Sequence, residues 1–261
     1  MCEEKILIPE VEVELTLLIF NSTFTPLIFL PGLGTSKRKM ELIRFLFLSS
    51  LAEKGYPVII YPSYGRDKRK FFRMRDGEMW EFFQFHSYRI KKIMDWLEEK
   101  KKWHKFNLMG MSLGGMLGMM LLSEDERTRK GIFMGVGGDF EKILWQGALR
   151  FLLPKDCSRK QCHLLHEKYR KILKRGNFTE LHSLPRYCFL YDPLTSAMRI
   201  KNKKVLLIHG LFDEVIPYPA FLTLKKALPQ ASSLLLPLTH TTLFLFLPLI
   251  KWRIEKFLKD E

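Results

Sequence analysis

The stretch from Lys105 to Leu122 constrains this chain more than any other. A short apolar run, Phe106-Asn107-Leu108-Met109, meets a glycine-rich turn and then an apolar segment, Met116 to Leu122. Inside the turn stands Gly110-Met111-Ser112-Leu113-Gly114, with Gly115 directly after it. A serine held on so sharp a strand-to-helix turn takes unusual backbone angles, and a side chain on either flank would collide with its neighbours. Glycine at 110 and 114 removes that collision and leaves the Ser112 hydroxyl pointing out of the sheet. The alternative is a helix start at which Ser112 merely caps the backbone.

The rest of the chain alternates in the same way. Runs suited to strands buried on both faces recur at Thr25 to Leu30, Pro57 to Pro62, Lys130 to Val136 and Lys204 to Gly210. Between and after them, helical spacing runs through Ser36 to Ala52, Glu78 to Trp103, Pro219 to Ala227 and Thr242 to Leu258, and Ser232 to Leu236 makes a last strand. Strand, helix, strand in that order is a right-handed crossover unit, so the chain is predicted to be α/β, with a mostly parallel central sheet and helices on both faces. Glu10 to Leu17 alternates polar and apolar, the pattern of an edge strand with one wet face. From Phe140 to Met198 the alternation stops and basic, helical-looking segments take over, notably Ser158 to Lys174. Residues 140–198 are therefore expected to be an inserted helical cap within a single domain spanning 1–261; a chain of 261 residues with 47% hydrophobic content suffices for one core.

Charge sets limits on partners. The formal net charge of +15 attracts anionic molecules and surfaces. No zinc-finger spacing, RNP-type aromatic box or phosphate loop is visible, so no nucleic-acid partner is predicted. The longest apolar stretch, Leu234 to Ile250, is interrupted by Pro237, His240 and Pro248, so no transmembrane segment is expected, and weak association with an anionic surface is the most the charge implies. Cys2, Cys157, Cys162 and Cys188 are few and irregularly spaced, and the acidic, polar start of the chain is unlike a secretory signal. Both point to a reducing, cytoplasmic setting.

Two further sites stand beside the serine turn in a telling order. Leu206-Leu207-Ile208-His209-Gly210-Leu211-Phe212-Asp213-Glu214-Val215-Ile216-Pro217 carries an acid after a buried strand, and Leu238-Thr239-His240-Thr241 carries a histidine after the last one. Together with Gly110-x-Ser112-x-Gly114 these resemble the α/β-hydrolases over nearly the whole chain, in the family's order of Ser, Asp, His. The stretch Pro31-Gly32-Leu33-Gly34 resembles the family's oxyanion loop, with Pro31 where many relatives have histidine. The resemblance implies an esterase- or lipase-like serine hydrolase, with Ser112 as nucleophile, His240 as base and Asp213 as acid. It also implies an oxyanion hole from the backbone N–H groups of Leu33 and Leu113. A serine triad needs no metal and no cofactor, and the implied partner is a small-molecule ester or acyl substrate.

Read from the residues, each site has a rival. Glu214 or Asp139 competes with Asp213 as the acid, and His240 competes with an ordinary core histidine. His209, at a strand end, is expected to pack and hydrogen-bond. Cys157, Cys162, His163 and His166 offer soft and imidazole donors, with Cys162 and His166 on one helix face, but their spacing fits no closed zinc module. The cap mixes apolar positions such as Trp145 and Leu149 with Lys168, Arg170 and Lys174, and a second basic loop runs from Arg66 to Arg75. An apolar acyl pocket under a positive rim, taking an ester, lysophospholipid or thioester, competes here with a solvated basic face. A peptidase or a catalytically silent binding protein on the same fold stays open as an alternative.

Overall fold

The computed structural model describes residues 2–64 and 68–259, with the backbone alone at residues 2, 68 and 69. Its strands are β1 (Cys2–Ile8), β2 (Val13–Ile19), β3 (Leu27–Leu30), β4 (Val58–Ile60), β5 (Phe106–Met111), β6 (Thr128–Met134), β7 (Lys204–Gly210) and β8 (Ser232–Leu236). They form one eight-stranded sheet in the order β1-β2-β4-β3-β5-β6-β7-β8. The pairs β1–β2 and β2–β4 are antiparallel, and every pair from β4 to β8 is parallel. Strands β3 and β5, apolar in sequence, are buried along their whole length because helices cover both faces.

The first helical segment comprises α1 (Lys37–Ile43), a π-helical turn (Arg44–Leu48) and α2 (Ser49–Glu53). It is followed by α3 (Lys68–Arg73), α4 (Asp76–Lys101), α5 (Leu113–Glu124), α6 (Phe140–Gln146), α7 (Arg159–Arg175), α8 (Cys188–Tyr191) and α9 (Pro193–Arg199). The last three are α10 (Tyr218–Ala227), α11 (His240–Leu245) and α12 (Leu247–Lys259). Alternation along each strand divides the core. Ile28, Leu30, Leu108 and Leu207 pack against α4, α5 and α10, while Phe29, Met109, Met134 and Ile208 pack against the first helical segment and α12.

Two sequence expectations change. The sheet's outer edge is β1, not the strand expected at Glu10 to Leu17: Pro9–Val11 forms a 3-10 turn, and β2 starts at Val13 between two partners. The helix expected from Thr242 to Leu258 is two helices, because Pro248 has no N–H to donate and so begins a new helix. Between β6 and β7, residues 140–199 carry short and long helices joined by turns, and Tyr169, Leu173, Leu181 and Phe189 gather into a small core of their own. The strongest local signal there is α7, started by a Ser158–Gln161 capping box and ended at Gly176 in the left-handed conformation. Arg66 of the basic loop lies outside the described residues, as do the side chains of Lys68 and Arg69.

Two buried imidazoles make the fold sensitive to acid. His209, on β7, stacks on Phe221 with ring centroids 4.5 Å apart and has no hydrogen-bond partner among the described residues, so the expected bond is absent. His86, on α4, meets the Tyr61 hydroxyl at 2.7 Å. Burial holds each ring's pKa down at about 4, against 6.5 for a free imidazole. In that interval the unfolded chain binds protons that the folded chain refuses, so stability falls as pH drops from about 6.5 towards 4, by on the order of 2 kcal/mol per ring. Denaturant titrations across this range should show the decline, and His209→Leu should remove about half of it, leaving the part due to His86.

Glycines at two kinds of position should respond differently to a methyl group. A Cβ on Gly114 would run into the carbonyls of Leu30 and Pro31, whereas one on Gly176 would meet nothing and suffer only its φ of 70°. Gly114→Ala should therefore cost about 3 kcal/mol or more and Gly176→Ala about 1 kcal/mol, read as shifts in denaturation midpoint.

Candidate active site

At the carboxyl end of β5, Ser112 has φ 51° and ψ −118°, outside the ordinary regions for a residue with a side chain. The strain is held from both sides. The Ser112 N–H donates to the Met134 carbonyl on β6 at 2.8 Å, and Gly110 packs so tightly that an added Cβ would sit 2.5 Å from the Gly115 Cα. Close contact between the strand's end and the helix's first turn is therefore possible only with glycine there. The same turn starts α5, and Ser112 makes no side-chain cap to it, which removes the capping alternative.

Asp213 lies in the turn after β7 with its side chain fully buried. One carboxylate oxygen accepts the backbone N–H groups of Val215 at 2.9 Å and Ile216 at 2.7 Å; the other faces His240 Nδ1 at 2.7 Å. His240 opens α11, where Thr239 and Thr242 make a capping box, and the edge of its ring meets Phe244 at 5.3 Å. Its Nε2 lies 2.9 Å from Ser112 Oγ. The three side chains thus form one continuous hydrogen-bonded line. Such a line can take a proton from the hydroxyl onto the imidazole while the carboxylate fixes the tautomer and faces the resulting cation.

The rival acids are placed elsewhere. Glu214 reaches the His240 backbone N–H at 3.3 Å, not the ring. Asp139 is buried in the cap with Arg170 at 2.9 Å, and His166 Nδ1 stands 2.9 Å from its other oxygen but misaligned for a hydrogen bond. Arg170 also binds Glu141, and burial, which raises the Asp139 pKa, is outweighed by the neighbouring His166 and Arg170, which hold its carboxyl below the usual range. Asp139, Glu141 and His166 are the group of potential metal donors brought within 4.8 Å among the described residues, and the Arg170 guanidinium already supplies their positive charge. The cysteine–histidine set weighed from sequence is not assembled. Cys162 is buried beside Cys157 and Trp145 with its thiol pushed up to about 12, and His163 faces Glu141.

A cavity of about 440 Å³ opens above the serine. Ser112, His240, Leu33 and Leu113 all line it, and Gly32 is packed against the Met111 carbonyl and the Ser112 Cβ, which brings the Pro31–Gly34 loop alongside the hydroxyl. The walls are apolar. Phe140, Ile143, Leu149 and Leu152 come from the cap, Phe71 and Phe72 from α3, and Leu42, Ile43 and Leu46 from the first helical segment. No carboxylate lines it among the described residues. Leu42 and Leu46 were missed in the sequence; their signal was apolar residues on the outer face of a helix whose inner face already had enough.

The alpha/beta hydrolase fold model matches residues 25–160, just over half of the chain. No curated protein matches the chain significantly. Among solved structures, a Thermus thermophilus protein is similar with a TM-score of 0.66 at 15% identity, over 100% of this chain and 99% of that one. The Pyrococcus furiosus esterase matches with a TM-score of 0.62 at 20% identity, over 99% and 89% of the two chains. The Pyrococcus horikoshii acylaminoacyl peptidase matches with 0.62 at 17% identity, over 98% of this chain but 39% of that one. At these identities the structures speak for the fold. The family match ends before Asp213 and His240, and the sheet that carries them continues the same topology through β7 and β8. The chain belongs to the α/β hydrolase fold family.

Proposed function

We propose that this protein is a serine hydrolase acting on carboxylic esters with an apolar acyl chain. The observation that carries the reading is the line from Ser112 Oγ to His240 Nε2 at 2.9 Å and from His240 Nδ1 to Asp213 at 2.7 Å, open to an apolar cavity. Ser112 attacks the ester carbonyl as His240 takes its proton. His240 then returns that proton to the departing alkoxide, leaving an acyl-serine. Water, deprotonated by His240, releases the acid and restores the hydroxyl. Asp213 keeps Nδ1 protonated and stabilises the imidazolium. The negative oxygen of each tetrahedral intermediate is received by the N–H groups of Leu113, at the start of α5, and Leu33; loss of one such donor typically costs about 3 kcal/mol, roughly a hundredfold in rate. Residues 140–198 act as the cap whose apolar side chains select the acyl group.

Ester rather than peptide chemistry is supported by the lining, which among the described residues offers no carboxylate to hold a peptide's amino terminus. A thioester would use the same steps and the same pocket.

Three measurements test the reading. Ser112→Ala and His240→Ala should each lower hydrolysis of p-nitrophenyl butyrate by about 10⁴-fold or more while leaving the denaturation midpoint near that of the wild type. Asp213→Asn should lower turnover by roughly 10⁴-fold and Asp139→Asn should not; the opposite pattern would move the acid to residue 139. Along acetate, butyrate and octanoate esters, kcat/KM should rise about three- to fourfold per methylene, the value of burying one CH₂ in an apolar cavity. A preference for acetate, or for aminoacyl anilides, would contradict the substrate class.

A further inference from the structure

The rim of the cavity is far more apolar than its surroundings. Leu42, Phe45 and Leu46, at the i, i+3, i+4 spacing of one helix face, are 45%, 78% and 43% exposed. Leu245, Leu249 and Trp252, spaced four and three residues apart across α11 and α12, are 59%, 66% and 64% exposed. Phe151 and Leu152, at the end of the 3-10 turn Ala148–Phe151 in the cap, complete the set at 76% and 51%. Because Leu42, Leu46, Leu152 and Leu245 also line the cavity, the three groups meet around one opening. Isolated exposed leucines are ordinary; a contiguous collar of leucine, phenylalanine and tryptophan marks a surface that something covers.

The charge around the collar identifies what covers it. Lys37, Arg38 and Lys39 stand exposed one turn before Leu42, and Arg150 lies with its guanidinium 4.4 Å over the Phe151 ring. Arg253 follows Trp252, and Lys256 is exposed one turn further along α12. The acids interleaved with them are already engaged: Glu41 by Arg44, and Glu255 by Lys54 and Lys251. A second copy seated on this face would bring two positive rims together, a repulsive arrangement in a chain of net charge +15. Apolar tips backed by lysine and arginine with no acidic partner among the described residues fit a surface that is greasy within and negative at its boundary.

We infer that the mouth of the cavity docks on an anionic lipid bilayer. The side chains of Phe45, Phe151, Leu249 and Trp252 enter the boundary between headgroups and acyl chains, the surrounding cations sit at the headgroup phosphates, and the cavity opens directly into the membrane. That an acyl ester is what then enters rests on the function proposed above; the docking itself does not.

The test is co-sedimentation of the full chain carrying Ser112→Ala, to prevent hydrolysis, with vesicles of phosphatidylcholine alone or mixed with phosphatidylglycerol. Binding should favour the mixed vesicles, weaken as salt is raised, and fall roughly tenfold in Phe45→Glu and again in Trp252→Glu. Tryptophan emission should shift to the blue on binding and lose most of that shift in Trp252→Phe. In the otherwise wild-type chain, neither Phe45→Glu nor Trp252→Glu should change hydrolysis of a soluble acetate ester. Equal binding to both vesicle types, or binding indifferent to both substitutions, would overturn the inference. So would a dimer that Phe45→Glu abolishes in a chain that ignores vesicles. Failure of Ser112→Ala to abolish turnover would count against the proposed hydrolase and leave the vesicle result untouched.

Discussion

The backbone of Ser112 is the constraint on which the rest of the site depends. A residue with a side chain is held at φ 51° because β5 must end and α5 must begin within one residue, with Gly110 pressed against Gly114 and Gly115. That closure aims the hydroxyl away from the sheet and into the cavity, towards His240. The parallel sheet brings up everything else. β3, β5 and β7 all run the same way, so the turns after them, holding Gly32, Ser112 and Asp213, fall at one edge, and β8 delivers His240 there too.

Two acids follow neighbouring strands, and their surroundings give them different work. Asp213 has two backbone N–H donors on one oxygen and an imidazole on the other, so it can hold a ring. Asp139 is engaged by Arg170, and its own N–H donates to Asp192, which also accepts from the N–H groups of Phe140 and Leu194. Asp192 thereby clasps the entry of the cap to its exit. Burial, with the nearby Asp139 carboxylate, raises its pKa to about 6, and three backbone donors compensate in part. The apolar wall formed by Phe140 and Ile143 is held at its start by this clasp, so the cavity's shape is tied to Asp192 rather than to Asp213.

Much of this was legible in the sequence, for reasons that differ by element. The serine turn was readable because only glycine tolerates such contacts, and the buried strands because both faces demand apolar side chains. The acid and the histidine were readable as positions after strands, with Gly210 and Pro217 beside Asp213 favouring it over Asp139; what engages Asp139 was not readable, because Arg170 on α7 is far from β6 in sequence. Strand β1 was hidden because Glu3, Glu4 and Lys5 sit on an edge where polar side chains remain solvated, so it resembled a loose terminus. The collar around the cavity was hidden for a related reason. Leu42 and Phe45 look like core residues in a sequence, and only the fold shows that their helix turns its other face, with Phe47 and Leu48, to the core.

The relay itself is most directly tested by mapping the residue that a fluorophosphonate modifies. Peptide mass spectrometry should find one adduct, on Ser112, formed rapidly by the wild-type chain and slowed by orders of magnitude in His240→Ala. An adduct on any other residue, or labelling of Ser112 at an undiminished rate without His240, would contradict the account.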